Sequence, residues 1–442
     1  MHNSFNNQQI KDLAIEHKFT RRASKLSAEK FLELLMFSNL ENRPASLNDF
    51  SAYLSDEYDL QISKQAIDYR FNQEAVDFLK SVLELQMKNT VELSKLSTVD
   101  LPFKSIRIKD STRWNLPDNC VTKYQGHGGC RANSKSMISV QYDYDLLNGD
   151  TFDLAMTNGR RNDMADSRQV TDNISANELL LRDLGYVSTT YLKNIIAKQA
   201  YFLNRLPPQL GVYSPKDQSA ISFKEINQQF KKHQNDHMEL DVLLGSEHML
   251  NARLVIFKAP KRVYDQRIAK ARKAAKKKGH DLSKEYKARA AYSSFITNAD
   301  SDKIDAQTVQ QLYKIRWQIE LKFKVWKSLI NINDIVKMKV ERFEAQLLAK
   351  FIWLLINWKA FLLVNHWMYH QNHKKLCSIW KFFKQIKRKP LVLRNILIKL
   401  RKKTIKKWLT KLFKKAHKNL SIEERKGKLP LYQILNRFFQ LA

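Results

Sequence analysis

The sequence predicts an α+β protein, with a middle region of mixed strands and helices between helical N- and C-terminal regions. Three observations predict it. Capping residues followed by apolar positions at helical spacing recur through residues 1 to 95. Alternating segments separated by turn residues begin near residue 101. From Thr308 to the end the pattern is helical again, with Lys and Arg interleaved with Trp and Phe.

In the N-terminal region, Ser27 can cap a helix whose Phe31, Leu34, Leu35 and Leu40 fall mostly on one face. Ser46 caps a second helix, with Asp49 near its N3 position and Phe50, Tyr53 and Leu54 facing inward. Asp56 to Asp59 read as a turn, and Ser63 opens a third helix containing Ala66, Ile67, Arg70 and Phe71. Two short helices joined by a tight turn resemble a helix-turn-helix. An ordinary helical bundle accounts for the same pattern equally well.

The middle region starts with Ser105 to Lys109, which alternates and leads into Asp110. Ser136 to Asp145 and Thr151 to Thr157 read as strands, with Leu147-Asn148-Gly149-Asp150 as their hairpin turn. Gly126, Gly128 and Gly129 form a loop before the first of these. Ser175 to Leu184 reads as a helix, ended by Asp183-Leu184-Gly185-Tyr186. Tyr201 to Leu206 is a strand closed by Pro207-Pro208. Short strand-like runs, Ala252 to Phe257 and Tyr292 to Thr297, flank a very basic stretch from Lys258 to Arg289. Such a stretch is ordinarily a solvated helix or loop. The expected organisation is a helical domain over 1–95, a core over 96–209 that resumes over 305–345, a β-rich basic insertion over 210–304, and a basic helical region over 346–442.

Lys and Arg number 77 against 44 acids, a formal charge of +33. A charge of that size repels itself unless a polyanion is near, and nucleic acid is the first candidate. An anionic membrane is the second. The most apolar stretch, Ala345 to Met368, is interrupted by Lys350 and Lys359, and no uncharged run reaches the roughly 18 residues of a span. The first ten residues carry no hydrophobic signal segment. The expectation is a cytoplasmic protein associated with nucleic acid and not with membrane. Cys120, Cys130 and Cys377 form no CxxC pair, which argues against a disulfide framework. Cys120, His127 and Cys130 are one ligand short of a zinc module, and their spacing matches none.

The most informative segment is Leu312 to Lys327, LYKIRWQIELKFKVWK. On one helix at about 100° per residue, Tyr313, Arg316, Glu320 and Lys327 fall within about 60° of arc. The other directions carry mainly Ile315, Ile319, Leu321, Phe323, Val325 and Trp326, as in a buried helix. The polar stripe then needs a partner. A structural Arg316–Glu320 pair at i, i+4 is one explanation.

Tyr-x2-Arg-x3-Glu-x6-Lys, complete at Tyr313, Arg316, Glu320 and Lys327, resembles the signature of the insertion-sequence-4 family of DDE transposases. Ile108 to Thr112 is similar to the segment around that family's first catalytic Asp, here Asp110. Asp183-Leu184-Gly185-Tyr186 resembles the Asp-x-Gly-Tyr around its second, and Phe295 to Asn298 is similar to the strand before its signature helix. The resemblance covers about residues 100 to 340. It implies an RNase H-like catalytic core with the first Asp on a strand and the Glu on a helix. It also implies that Asp110, Asp183 and Glu320 are the catalytic, metal-binding residues. Three carboxylates can bind two Mg2+ ions, with Mn2+ as a substitute, and two metals suit in-line displacement at phosphorus.

The same resemblance implies that Tyr313, Arg316 and Lys327 hold DNA phosphates. Tyr292 stands where family members carry an aromatic, usually Trp, that stacks on a flipped base; a tyrosine of the strand core is the alternative. Asp143, Asp145, Asp163 and Asp166 are nearby acids, of which Asp163 is the reserve catalytic candidate. The implied partners are double-stranded DNA, as terminal inverted repeats and target, and a second copy of the chain on that DNA. The implied activity is metal-dependent cut-and-paste cleavage and strand transfer of an insertion sequence. A nuclease that cuts without joining and a transposon-derived DNA-binding protein remain its rivals.

Overall fold

The computed structural model describes residues 7–38, 44–88, 102–127, 134–169, 173–233, 235–371, 376–388 and 402–422. Leu40, Gly128, Gly129, Cys130, Lys389 and the expected boundary at residues 95 and 96 lie outside them. The chain divides into two compact units, each assembled from separate stretches of sequence. One, the sheet unit, takes its described residues from Asp100–Asp110 and Asn162–Trp317. The other, the helical unit, takes them from Met1–Val99, Ser111–Arg161 and Gln318–Asn436. Strands and helices of both kinds make this a mixed α+β chain.

The sheet unit begins with the first half of β1 (Ser105–Leu116), which pairs in parallel with β4 (Glu178–Arg182), in register from Ser105↔Glu178 to Lys109↔Arg182. β4 pairs in parallel with β5 (Tyr201–Arg205). Parallel neighbours need a crossover, and α7 (Thr189–Ala197), capped by Ser188, supplies it. β5 then pairs antiparallel with β9 (Tyr292–Thr297), β9 with β8 (Leu250–Lys258), and β8 with β7 (His237–Leu244). β6 (Val212–Tyr213) closes that edge. Between β8 and β9, whose ends meet at Lys258↔Tyr292, the chain makes an excursion through α9 (Lys261–Lys277) and α10 (Lys284–Ala290).

The segment expected to be a helix from Ser175 to Leu184 is instead the strand β4. All five of its residues are buried. A strand covered on both faces carries apolar residues continuously and loses the alternation that identifies strands at a sheet surface. Leu179, Leu180 and Leu181 are each 0% exposed, which is that case.

In the helical unit, Ser27, Ser46 and Ser63 cap α2 (Ala28–Phe37), α3 (Leu47–Tyr58) and α4 (Lys64–Tyr69), and Ser46 with Asp49 forms a reciprocal capping box. The turn expected from Asp56 comes later: α3 runs to Tyr58, and Asp59 ends it in the left-handed region. α5 (Gln73–Lys88) and α2 pack on α13 (Val340–Gln371). β2 (Ser136–Asp145) and β3 (Thr151–Asn158) form the expected hairpin. Its turn needs Gly149 at φ +75°, where a Cβ would lie 2.5 Å from Leu362.

α13 is long and apolar enough to cross a membrane, yet it is mostly buried within this unit. Its two lysines have partners there. Lys350 donates to the Asn331 carbonyl at 3.0 Å, and Lys359 to the Gln86 side chain at 3.3 Å. α12 (Gln318–Ser328), α14 (Ile379–Lys387) and α15 (Lys402–Asn419) complete the described helices of this unit that lie toward the C-terminus.

Candidate active site

The pairing of β1 with β4 determines where two of the expected catalytic residues stand. Lys109 and Arg182 are the last register partners of two adjacent parallel strands. Asp110, midway along β1, and Asp183, just past the end of β4, each come one residue later, so the carboxylates stand side by side where the pairing of the two strands stops. The Asp110 side chain is 19% exposed and the Asp183 side chain 49%, so both remain reachable. Asp183 is also the N-cap position of a short 3-10 turn, Leu184–Tyr186, which turns the chain away from the strand end.

Charged groups just before the two aspartates are buried in pairs. Arg107 bonds Glu178 at 2.8 Å, and Lys109 meets Asp166 at 2.6 Å, with all four side chains at most 4% exposed. Arg182 donates to the Arg107 carbonyl at 3.2 Å, and Asn204 to the Arg182 carbonyl at 3.0 Å. Buried charges persist only when paired and hydrogen-bonded, so these contacts fix strand register where the aspartates emerge. Part of the signal was present in the sequence: Arg107 stands between Ile106 and Ile108, and Glu178 directly precedes Leu179 to Leu181.

Two signature residues approach the aspartates. The Arg316 guanidinium stands 3.1 Å from Asp110 and 4.0 Å from Asp183. The Tyr313 hydroxyl donates to Asp183 at 3.4 Å, and its ring packs on Phe295 at 5.3 Å. Burial and the neighbouring Asp183 carboxylate push the Tyr313 hydroxyl up to about 12. The hydroxyl therefore stays protonated and keeps donating at neutral pH.

The single helix expected from Leu312 to Lys327 is not continuous. α11 (Ala306–Ile315) ends, Arg316 and Trp317 form a turn, and α12 begins at Gln318. Arg316 N–H bonds to the Tyr313 carbonyl and Trp317 N–H to the Lys314 carbonyl, the tighter i, i+3 spacing. The count of about 100° per residue therefore does not run through the signature, and the four residues do not form one continuous stripe. Tyr313 and Arg316 belong to the sheet unit, and Glu320 and Lys327 to the helical unit. Glu320 is exposed in the first turn of α12. Lys327 is half-buried and donates to the Arg113 carbonyl at 3.0 Å.

Tyr292 is in the core of the sheet unit. It is 5% exposed, donates its hydroxyl to Asn227 at 2.7 Å and packs on Phe230 at 4.8 Å. That is the strand-core alternative, with no ring face left for a base. Sequence reasoning passed over Lys322. Its ammonium lies 3.2 Å from the Tyr144 ring centroid and 3.5 Å from that of Trp358, and bonds the Tyr142 hydroxyl at 3.1 Å. Burial holds its pKa well below the usual lysine range.

Asp163, at the start of α6 (Asp163–Gln169), lies against Gly185: a Cβ there would stand 3.2 Å from the Asp163 carboxylate. The glycine of Asp-x-Gly-Tyr thus admits a further acid beside the second aspartate. Among the described residues, no group of three or more His, Cys, Asp and Glu side chains is close enough to hold a metal ion. The donor chemistry of Asp110 and Asp183 nevertheless fits a hard divalent cation, which takes carboxylate oxygens.

Residues 101–356 match the family model described as the transposase DDE domain. The chain belongs to the DDE transposase family. It is 30% identical to the transposase for insertion sequence element IS1151 of Clostridium perfringens over 370 residues, which is 80% of this chain and 78% of that protein. It is 27% identical to the transposase for insertion sequence element IS231F of Bacillus thuringiensis subsp. israelensis, across 98% of this chain and 93% of that one. With the IS231B transposase of Bacillus thuringiensis subsp. berliner it shares 26% over 83% of this chain and 80% of the other. The transposase is therefore an enzyme of DNA cleavage and strand transfer.

Proposed function

We propose that this DDE transposase moves an insertion sequence by cut and paste, using Asp110, Asp183 and Glu320 as its catalytic carboxylates. The observation that carries the reading is the placement of Asp110 and Asp183 one residue past the register pair Lys109↔Arg182 on adjacent parallel strands. Two adjacent parallel strands with acids side by side where their pairing stops, inside the matched domain, support an RNase H-like core. Glu320 joins them through its place in the Tyr-x2-Arg-x3-Glu-x6-Lys spacing, which marks the insertion-sequence-4 group.

Bound divalent ions, Mg2+ by donor type with Mn2+ as a substitute, would activate the attacking oxygen and stabilise the leaving oxygen at phosphorus. The three carboxylates supply hard oxygen donors to them. Arg316 balances the paired charge of Asp110 and Asp183 and presents a guanidinium suited to a DNA phosphate. Tyr313 holds the Asp183 carboxylate through its hydroxyl. Lys327 would contact phosphate after leaving the Arg113 carbonyl.

In this reading residues 1–95 recognise the terminal inverted repeats. Two copies of the chain pair the element ends, and the reaction takes place in the cytoplasm on nucleoid DNA. The test uses Asp110→Asn, Asp183→Asn and Glu320→Gln, which keep shape and remove charge. Each should lose Mg2+-dependent nicking and joining of an end duplex by a factor of about a thousand or more while still binding it. Wild-type rates from the Asp183→Asn variant would remove that residue and bring Asp163 forward.

A further inference from the structure

The excursion between β8 and β9 has no part in the site described above, yet its first helix is strongly basic. α9 carries eight basic residues and one acid, Asp265. Its inner side is anchored. Ile268 and Ala275 are buried, and Arg267 donates to the carbonyls of Ala290 and Tyr292 and to the Ser293 hydroxyl. At about 100° per residue, Arg262, Lys270, Lys273, Lys276 and Lys277 fall within about 120° on the side opposite Ile268 and Ala275. All five are exposed. Among the described residues none of their side chains has an ion-pair or hydrogen-bond partner.

Like charges at i, i+4 destabilise a helix, and Lys273–Lys277 is such a pair. Nothing in the packing of α9 requires this charge, because its buried face is supplied by Ile268, Ala275 and Arg267. The stripe from Arg262 to Lys277 is about 22 Å long, roughly two-thirds of a turn of duplex DNA. Gln266 is its one exposed amide, so what the surface offers is chiefly positive charge, which suits phosphate.

We propose that the outer face of α9 is a sequence-independent phosphate-binding surface that holds the target duplex during strand transfer. This rests on the transposase reading given above. Joining requires a second duplex whose sequence need not be read, and a row of Lys and Arg with a single amide among them matches that ligand by charge. The row continues into a shallow cleft of about 480 Å3 at the end of α9, lined in part by Arg272, Lys276, His280 and Lys287.

The test compares two full-length variants. One carries Arg262→Gln, Lys270→Gln, Lys273→Gln and Lys277→Gln, which retain good helix formers. The control removes equal charge elsewhere in the same unit, by Lys216→Gln, Lys224→Gln, Lys231→Gln and Lys232→Gln. Binding to a duplex lacking element ends is followed against salt. The stripe variant should flatten the log–log slope by about 3 to 4, and the control by less than about 1. Joining of a pre-cut end to target plasmid should fall about tenfold or more in the stripe variant, with nicking of an end duplex within about twofold of wild type.

Equal slopes in the two variants would overturn the proposal. So would equal loss of nicking and joining, because the surface would then hold element ends. Loss of binding to phosphatidylserine vesicles with an unchanged DNA slope would make the stripe a membrane contact instead. A wild-type protein that neither cuts nor joins would sink the proposed reaction, and the salt slopes would still decide the stripe.

Discussion

Arg316 reaches two carboxylates at once: its guanidinium stands 3.1 Å from Asp110 and 4.0 Å from Asp183. A planar fork can serve both, whereas an ammonium is a single point charge. Arg316→Lys should therefore restore only part of what Arg316→Ala loses. Single-turnover nicking is expected to drop about 100-fold for Ala and about 10-fold for Lys, in the range for removal of one charged group from a phosphoryl-transfer site. Identical rates for the two variants would show that fork geometry contributes nothing.

Tyr313 should act as a neutral donor throughout the working range. Its pKa is pushed up to about 12, chiefly by burial, so its hydroxyl keeps its proton below that pH. Tyr313→Phe should lower the nicking rate without moving the inflections of its pH profile between pH 6 and about 10. A new inflection in that window would mean that the tyrosine itself titrates during turnover.

Lys322 and Lys324 are two residues apart on α12 and should behave oppositely. Lys322 is 2% exposed under the Tyr144 and Trp358 rings, whereas Lys324 is exposed. Lys322→Ala leaves a cavity and should cost about 2–4 kcal/mol in urea unfolding. Lys324→Ala should stay within about 0.5 kcal/mol. Lys322→Met, which refills the space without charge, should recover most of the loss. Equal midpoints for the two alanine variants would contradict the burial of Lys322.

The lysines of α13 make stability depend on alkaline pH. Burial lowers Lys350 and Lys359 to about 8 each, from 10.5 in an unfolded chain. Between those values the unfolded state binds more protons than the folded one, so stability rises as pH increases from about 8 toward 10.5. Below pH 8 both states are protonated, and the folded state bears the full cost of burying the charge. The urea midpoint should be higher at pH 9.5 than at pH 7.5. Lys350→Met with Lys359→Met should raise the lower value and reduce the difference. An unchanged difference in that double variant would assign the effect to other groups.

How much of this was legible in the sequence depended on which signals survive burial. The serine caps at Ser27, Ser46 and Ser63 were readable because capping is local chemistry. The hairpin at Gly149 was readable for the same reason. β4 was misread because a strand buried on both faces loses its alternation, and ELLLR then looks helical. The turn at Arg316–Trp317 was invisible because neither residue breaks helices. Asp110, Asp183, Tyr313 and Arg316 were picked out by resemblance to the family's motifs, and the structure brings these four together. The setting of Lys322 was not legible, because its cage is assembled from β2 and α13, distant in sequence.

The pairing of Lys258 with Tyr292 has an evolutionary consequence. The excursion through α9 and α10 leaves and rejoins the sheet at neighbouring positions. Its ends are already together, so each doubling of its length adds only about 0.6 kcal/mol of closure entropy. A lineage can lengthen, shorten or exchange this excursion while β9 keeps its register with β5, and β5 its register with β4. The residue pairs that position Asp183 would not change. Selection can therefore act on the excursion's size and composition with little effect on the chemistry two strands away.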